Sequence, residues 1–276
     1  MRLFWLVTLT MTAFAANSIL NRVGVAQFGL HPLGFAAIRV AAGAAMLWVL
    51  VAARAQPAPA IWTPKRLTGA VALATYMVGF SLAYLSLGAG LGALVLFGAL
   101  QIIIFGWATI ERQTIAPQRW IGAGIALTGL CILLWPTGIS APPFTSVVAM
   151  IAAAAGWAAY TLLGRAEADP LGATASNFLL CVPLTSLGFF AGGPMPPMGV
   201  ATAMVAGAIT SGLGYALWYR VLPALPTTIA GIAQLSVPVI AVTGGVAFLG
   251  ETLTPKLISA GTIVLIGIAV SLIARK

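Results

Sequence analysis

Apolar residues run along this chain in blocks of helix-spanning length, separated by short polar connections rich in Gly and Pro. Ten blocks can be marked: 3–21, 32–53, 67–86, 91–109, 118–136, 145–164, 171–190, 198–217, 227–249 and 255–274. Each is close to the about 20 mostly apolar residues that a helix needs to cross a bilayer. Punctuation falls at Gln56-Pro-Ala-Pro59, Trp135-Pro-Thr-Gly138, Ala141-Pro-Pro143, Gly192–Pro197 and Pro223–Pro226. The pattern predicts an all-α polytopic membrane protein of ten transmembrane helices. Its connections are too short to hold a soluble domain, so sequential helices pack as antiparallel neighbours.

The polar residues inside the blocks repeat. Phe14–Arg22 (FAANSILNR) and His31–Arg39 (HPLGFAAIR) return as Trp157–Arg165 (WAAYTLLGR) and Asp169–Asn177 (DPLGATASN). Glu111 and Glu251 each follow a helix and precede another that starts at Pro117 or Pro255. Thr75–Tyr84 aligns loosely with Ile209–Trp218. The chain therefore divides into two five-helix repeats, 1–138 and 139–276. Because five is odd, the halves enter the membrane with opposite orientation, which places a pseudo-two-fold axis in the membrane plane. The repeat also bears on the first block. Arg2, an apolar stretch and Ala13-Phe-Ala15 imitate a signal peptide, but the counterpart around Trp157 lies mid-chain, so the first block reads as a mature helix.

Composition agrees with lipid surroundings: 61% of the 276 residues are hydrophobic and 6% charged, against about 25% charged in soluble domains. The net charge of +9 is scattered singly or in pairs between apolar blocks, as in topology determinants, and predicts no nucleic-acid partner. With the amino terminus inside, Arg2, Arg54, Lys65, Arg66, Arg112, Arg119, Arg165, Arg220, Arg275 and Lys276 are cytoplasmic. Only Arg22 and Lys256 lie opposite, and Arg39 is within a helix. By the positive-inside rule both termini are cytoplasmic. Cys131 and Cys181 lie in apolar blocks without metal or redox spacing, so no metal or cofactor is expected.

Two inverted five-helix halves resemble the drug/metabolite transporter superfamily of the EamA type. So do the Pro-Leu-Gly starts of helices two and seven, Arg39 after the first of them, and Glu111 and Glu251. Within it, Thr75-Tyr76, Leu85-Ser-Leu-Gly88 and Trp157-Ala-Ala-Tyr160 are similar to bacterial aromatic amino acid exporters of the YddG type. The resemblance implies a multi-pass protein of the bacterial inner (cytoplasmic) membrane, a monomer or weak dimer. It further implies export of small amphipathic metabolites, aromatic or hydrophobic amino acids foremost, by alternating access between the halves. A nucleoside, drug or quaternary ammonium exporter of the same fold, and a channel-like pore, stand as alternatives.

Few groups in the blocks carry chemistry. Arg39 lies seven residues past Pro32, roughly 10 Å into its helix at about 1.5 Å per residue. It partners an anion or carboxylate, or it ties helix ends and carbonyls together near the outer mouth. The second reading has the edge, since the family resemblance brings an Arg there whatever the substrate. Glu111, Glu167, Asp169 and Glu251 all fall at helix ends or in loops, and His31 stands at a helix start before Pro32. With no carboxylate mid-membrane, the chain leans toward facilitated or weakly coupled transport. Asn17, Tyr76, Gln101, Tyr160, Thr161, Asn177, Thr210, Ser211 and Gln234 are polar groups within the blocks, and each must find a partner or face a wet cavity. Tyr76, Trp157 and Tyr160 lie too deep for an interfacial belt and suit the walls of an apolar substrate site. Interhelical packing is the plain alternative for all of these. Trp5, Trp48, Trp62, Trp107, Trp120, Trp135 and Trp218 read as interface anchors. Pro183 and Pro238 should kink helices seven and nine.

Overall fold

The computed structural model describes residues 1–54, 59–112, 116–135, 142–164, 167–225 and 233–273. The boundary between the halves at 138/139, Arg165, residues 227–232 of the ninth block, and Arg275 and Lys276 lie outside the described residues.

Among the described residues ten apolar helices follow the ten blocks: α1 Arg2–Gln27, α2 Pro32–Ala52, α3 Pro64–Ala83, α4 Ala89–Ile110, α5 Pro117–Leu134, α6 Phe144–Gly164, α7 Pro170–Ala191, α8 Pro197–Ala224, α9 Ser236–Leu249 and α10 Pro255–Ile273. No strand occurs among the described residues. By length and composition α1 to α8 can cross a membrane, while the described apolar portions of α9 and α10 are shorter.

Most helices begin where the backbone is preset for it. Proline opens α2, α3, α5, α7, α8 and α10, because its fixed φ suits the first helical position and its missing N–H is not needed there. The Thr63 hydroxyl accepts from the Arg66 N–H at 3.2 Å, and Asp169 accepts from the Gly172 N–H at 3.0 Å. Glu251 reaches across from the α9–α10 connection to accept from Ala89 N–H at 2.6 Å, at the start of α4. Gly250 ends α9 in the left-handed region, φ 66°.

Packing partners exchange when α1–α5 are swapped for α6–α10. The pair α3–α6 matches α8–α1, α2–α8 matches α7–α3, and α4–α6 matches α9–α1; α2–α7, α4–α9 and α5–α10 pair with themselves. Close approach of α2 and α8 depends on Gly207: a Cβ there would stand 2.2 Å from the Arg39 carbonyl oxygen.

The connections meet in two groups at opposite ends of α3. At its start, Arg54 grips Asp169 through two 2.5 Å contacts, and Glu167 takes Lys65 at 2.7 Å and Arg66 at 2.8 Å. At its far end, Arg22 donates to the carbonyls of Tyr84 and Leu85 at 3.0 and 2.9 Å, near the Glu251 cap.

One expectation is corrected. Trp218 is not an interface anchor: it is buried, with its ring 6.0 Å from Phe14. Pro238 interrupts the ninth block as expected: the helical backbone at 233–234 breaks at Leu235 and α9 starts at Ser236, because proline has no N–H for the carbonyl of Gln234 four residues earlier. Trp5, Trp62, Trp107, Trp120 and Trp135 are exposed, while Trp48 is partly buried against the core.

Candidate functional site

A cluster of rings fills the centre. Trp157 on α6 contacts Tyr76 of α3 (5.1 Å between centroids), Tyr215 of α8 (5.3 Å), Tyr160 of its own helix (5.8 Å) and Phe14 of α1 (6.4 Å). Tyr76 leads on through Phe80 to Tyr84, one turn apart each along α3. Four helices thus aim aromatic faces at one point. A narrow cavity opens beside it, lined by Phe14, Asn17, Tyr76, Phe80, Trp157, Tyr215 and Gln234 among others.

Behind Tyr76 and Phe80 sits Arg39, with no exposed surface. Its guanidinium carbon is 5.5 Å from the Tyr76 ring centroid and 5.2 Å from that of Phe80, a cation–π arrangement. Nε donates to Ser211 Oγ at 2.9 Å and Nη2 to Tyr76 Oη at 3.4 Å, while Nη1 has no partner. Ser211 Oγ passes a hydrogen bond to Asn17 Oδ1 at 3.2 Å, which also accepts from Thr210 Oγ1 at 2.7 Å. The α-helix widens into π-type turns over Ala206–Leu213, and this puts Thr210 and Ser211 opposite Asn17 and Arg39. Such turns recur at functional sites.

Arg39 ties α2 to α8 and α3 through these side chains, and among the described residues no helix end or carbonyl accepts from it. None of the described carboxylates lies within ion-pair distance of it: Glu167 and Asp169 are held by other cations, and Glu251 caps α4. A buried guanidinium without a counter-charge is costly.

Tyr160 and Asn177 belong to a different space. With Lys65, Arg66, Glu167 and Tyr219 they line a second, smaller cavity toward the ion-paired end. The structure thus separates the seven sequence candidates. Asn17, Tyr76 and Trp157 line the central cavity, Arg39 stands behind it, Tyr160 and Asn177 line the second, and Gln101 on α4 lines neither. Sequence reading passed over Phe80 and Tyr215 as site residues. Phe80 is one turn past Tyr76 and was readable as its neighbour. Ser211 and Gln234 stood out as polar groups within apolar blocks, but the partners of Ser211, 172 and 194 positions away, were not readable.

At the ion-paired end the acids titrate low. Burial alone would push Glu167 up, but hydrogen bonds from Arg66 and Lys65 outweigh it and hold the carboxyl below its ordinary value. Asp169 is held low chiefly by the Arg54 guanidinium. His31 starts α2 at the opposite end of the bundle, beside Gly193.

A helical bundle with an aromatic-walled cavity, and beside it a buried cation that no described carboxylate neutralises, suits a small-molecule transporter. The profile of the EamA-like transporter family matches residues 144–273. The chain is 41% identical to an uncharacterised protein of Pseudomonas aeruginosa, over 99% of this chain and 96% of that one. It is 28% identical to the threonine/homoserine exporter RhtA of Escherichia coli, over 88% and 83%. It is 26% identical to the uncharacterised transporter YwfM of Bacillus subtilis, over 92% and 84%. One solved crystal structure shares the fold at TM-score 0.68 and 17% identity, covering 96% of this chain and 94% of that one. The chain belongs to the EamA-like transporter family, within the drug/metabolite transporter superfamily.

Proposed function

We propose that this chain exports neutral amphipathic amino acids, with the substrate carboxylate bound by Arg39 and its side chain against the aromatic walls. The observation that carries the reading is the fully buried guanidinium whose Nη1 has no partner and which no described carboxylate neutralises. A carboxylate is planar and two-pronged, and guanidinium binds it in that geometry with charge-assisted hydrogen bonds. The substrate ammonium faces the ring faces of Tyr76 and Trp157 and the polar groups of Gln234 and Ser18. Both termini lie in the bacterial cytoplasm. The inverted halves rock about the cavity to give alternating access, and the exchange of packing partners between them supports that arrangement. No described carboxylate stands in the central cavity, which supports facilitated movement down a gradient or weak coupling.

The aromatic walls favour phenylalanine-like or other apolar side chains. Similarity to RhtA, named for threonine and homoserine, together with the Asn17–Thr210–Ser211 hydroxyl network, favours a small hydroxylated amino acid as the second reading. Proteoliposomes loaded in turn with phenylalanine, leucine, threonine and homoserine, with and without a proton gradient, separate the two. Saturable flux of the apolar pair supports the first reading. Flux confined to threonine and homoserine supports the second, and no flux of any of the four overturns both.

A further inference from the structure

We infer that Arg54, Lys65, Arg66, Glu167 and Asp169 are the lock of an inner gate: they hold the two halves together at the ion-paired end, so the chain rests closed there and opens first at the opposite end. The inference rests on the alternating-access reading above and adds a gate to it. Each of these ion pairs joins one half to the other. Arg54 follows α2 and grips Asp169, which precedes α7. Lys65 and Arg66, in the first turn of α3, share Glu167 Oε1 at 2.7 and 2.8 Å, and Arg66 also reaches Oε2 at 2.9 Å. The Arg66 and Glu167 side chains are only 14% and 10% exposed. A pair so far out of water is unlike the screened surface pairs that contribute little. Beneath it the way inward is plugged. Tyr160 hydrogen-bonds with Thr174 and Asn177, and Tyr219 with Tyr160 and Thr174. The space left among these groups is too small for an amino acid.

The inverted repeat supplies the comparison. Matching Asp169-Pro-Leu-Gly172 to His31-Pro-Leu-Gly34 sets Gly29 against Glu167 and Gly192 against Arg54. Matching Pro64 to Pro197 sets Met198 and Gly199 against Lys65 and Arg66. The charged positions of one end are therefore Gly, His, Gly, Met and Gly at the other, with no acid among them. The counterpart contacts exist without charge: a Cβ at Gly193 would stand 3.6 Å from that of His31, and one at Gly199 would stand 2.8 Å from that of Leu30. Near this end Arg22 binds the Tyr84 and Leu85 carbonyls, and Glu251 binds the N–H groups of Ala89 and Gly90, so both charges hold backbone. One architecture thus closes its inner end with ion pairs and its outer end with a glycine-rich seam. Parting a desolvated ion pair is costly, whereas parting glycine from Leu30 or His31 separates no charges. The halves come apart first at the seam.

The test is labelling by a membrane-impermeant maleimide of purified protein in lipid nanodiscs, which leave both faces in water. Cys131→Ala and Cys181→Ala remove the native thiols. Leu163→Cys, on the plugged inner way, and its repeat counterpart Leu20→Cys, packed beside the seam, are then the two reporters. In the parent the outer reporter should label roughly tenfold faster than the inner one or more. Glu167→Gln and Asp169→Asn should each speed the inner reporter and slow the outer one, a reciprocal change that unfolding does not produce. Asn still caps α7, so Asp169→Asn loses the ion pair alone. Arg66→Glu combined with Glu167→Arg should restore the parent rates. An inner reporter that labels at the parent rate in both single variants overturns the lock, as does a parent that labels faster at its inner end. An exchanged pair that labels like Glu167→Gln also overturns it. An inner rate that rises with no fall in the outer rate, at unchanged helical circular dichroism, keeps the lock and overturns alternating access. L-Phenylalanine and L-threonine that move neither reporter in the parent overturn the export reading alone.

Discussion

Replacing Arg39 by Gln separates a binding role from a structural one, because the two roles move stability and transport in opposite ways. In the folded protein the guanidinium is held by Ser211 Oγ, Tyr76 Oη and two ring faces, without an acid. The variant loses neutral hydrogen bonds worth about 1 kcal/mol each, though the shorter amide can keep one to Ser211. It also removes an unpaired buried charge, whose desolvation costs several kcal/mol. The terms offset, so Arg39→Gln should melt within a few degrees of the parent or above it. Transport should respond differently. Losing one partner of a desolvated charge pair costs about 2 to 3 kcal/mol or more, roughly 30- to 150-fold in kcat/KM at about 1.4 kcal/mol per tenfold. The assay is initial counterflow rate in proteoliposomes, normalised to protein, beside a melting curve of the same preparation. Arg39→Lys keeps the charge without the fork and should fall between. The reasoning is refuted if Arg39→Gln transports at the parent rate, or if its loss merely tracks a large fall in melting temperature.

Trp157→Ala removes the ring that joins α1, α3, α6 and α8; it should lower transport of apolar amino acids at least tenfold in KM, with helical circular dichroism unchanged. Gly207→Ala should lower the melting temperature by several degrees, since its Cβ meets the Arg39 carbonyl at 2.2 Å and α2 must move away from α8. Gly106→Ala is the control: open space surrounds that position, and the helix should gain about 0.5–1 kcal/mol. The ion-paired end gives a pH dependence. Glu167 and Asp169 have lowered folded values, so their stabilisation is complete above the ordinary carboxyl range near about pH 4 and is lost as pH falls through the folded values. Thermal stability in detergent should be flat from neutral pH to about 5 and drop in stronger acid, with a smaller drop in Asp169→Asn. A fluorescent protein fused to the carboxyl terminus should fold and fluoresce in the cytoplasm, whereas an active periplasmic phosphatase fusion there would reverse the proposed orientation.

The helices were readable in the sequence to within a few residues at most ends, with α1 running six and α8 seven residues past their blocks, because block length and proline position are dictated by bilayer thickness and by backbone chemistry. Pro32, Pro64, Pro117, Pro170, Pro197 and Pro255 all open helices. The depth of Arg39 was readable for the same reason, as a charge inside an apolar run. Its partners were not. Ser211 and Tyr76 come from other helices, and a helix that is apolar all round does not reveal which face meets which neighbour. That is also why Trp218, close to a block end, looked like an anchor and lies instead against Phe14. The repeat brought Tyr160 and Asn177 forward as the counterparts of Asn17 and Arg39. They stand together in the structure, in a cavity of their own nearer the ion pairs. Gln101 was polar and deep, and the structure leaves it off both cavities.

The central claim is that Arg39 reads a carboxylate. The direct measurement is counterflow in proteoliposomes with phenylalanine or threonine on one side, challenged by the amine that each leaves on decarboxylation. The account predicts exchange of amino acid for amino acid, with little or no exchange or inhibition by the amines. Amines that exchange as fast as their parent amino acids would contradict it.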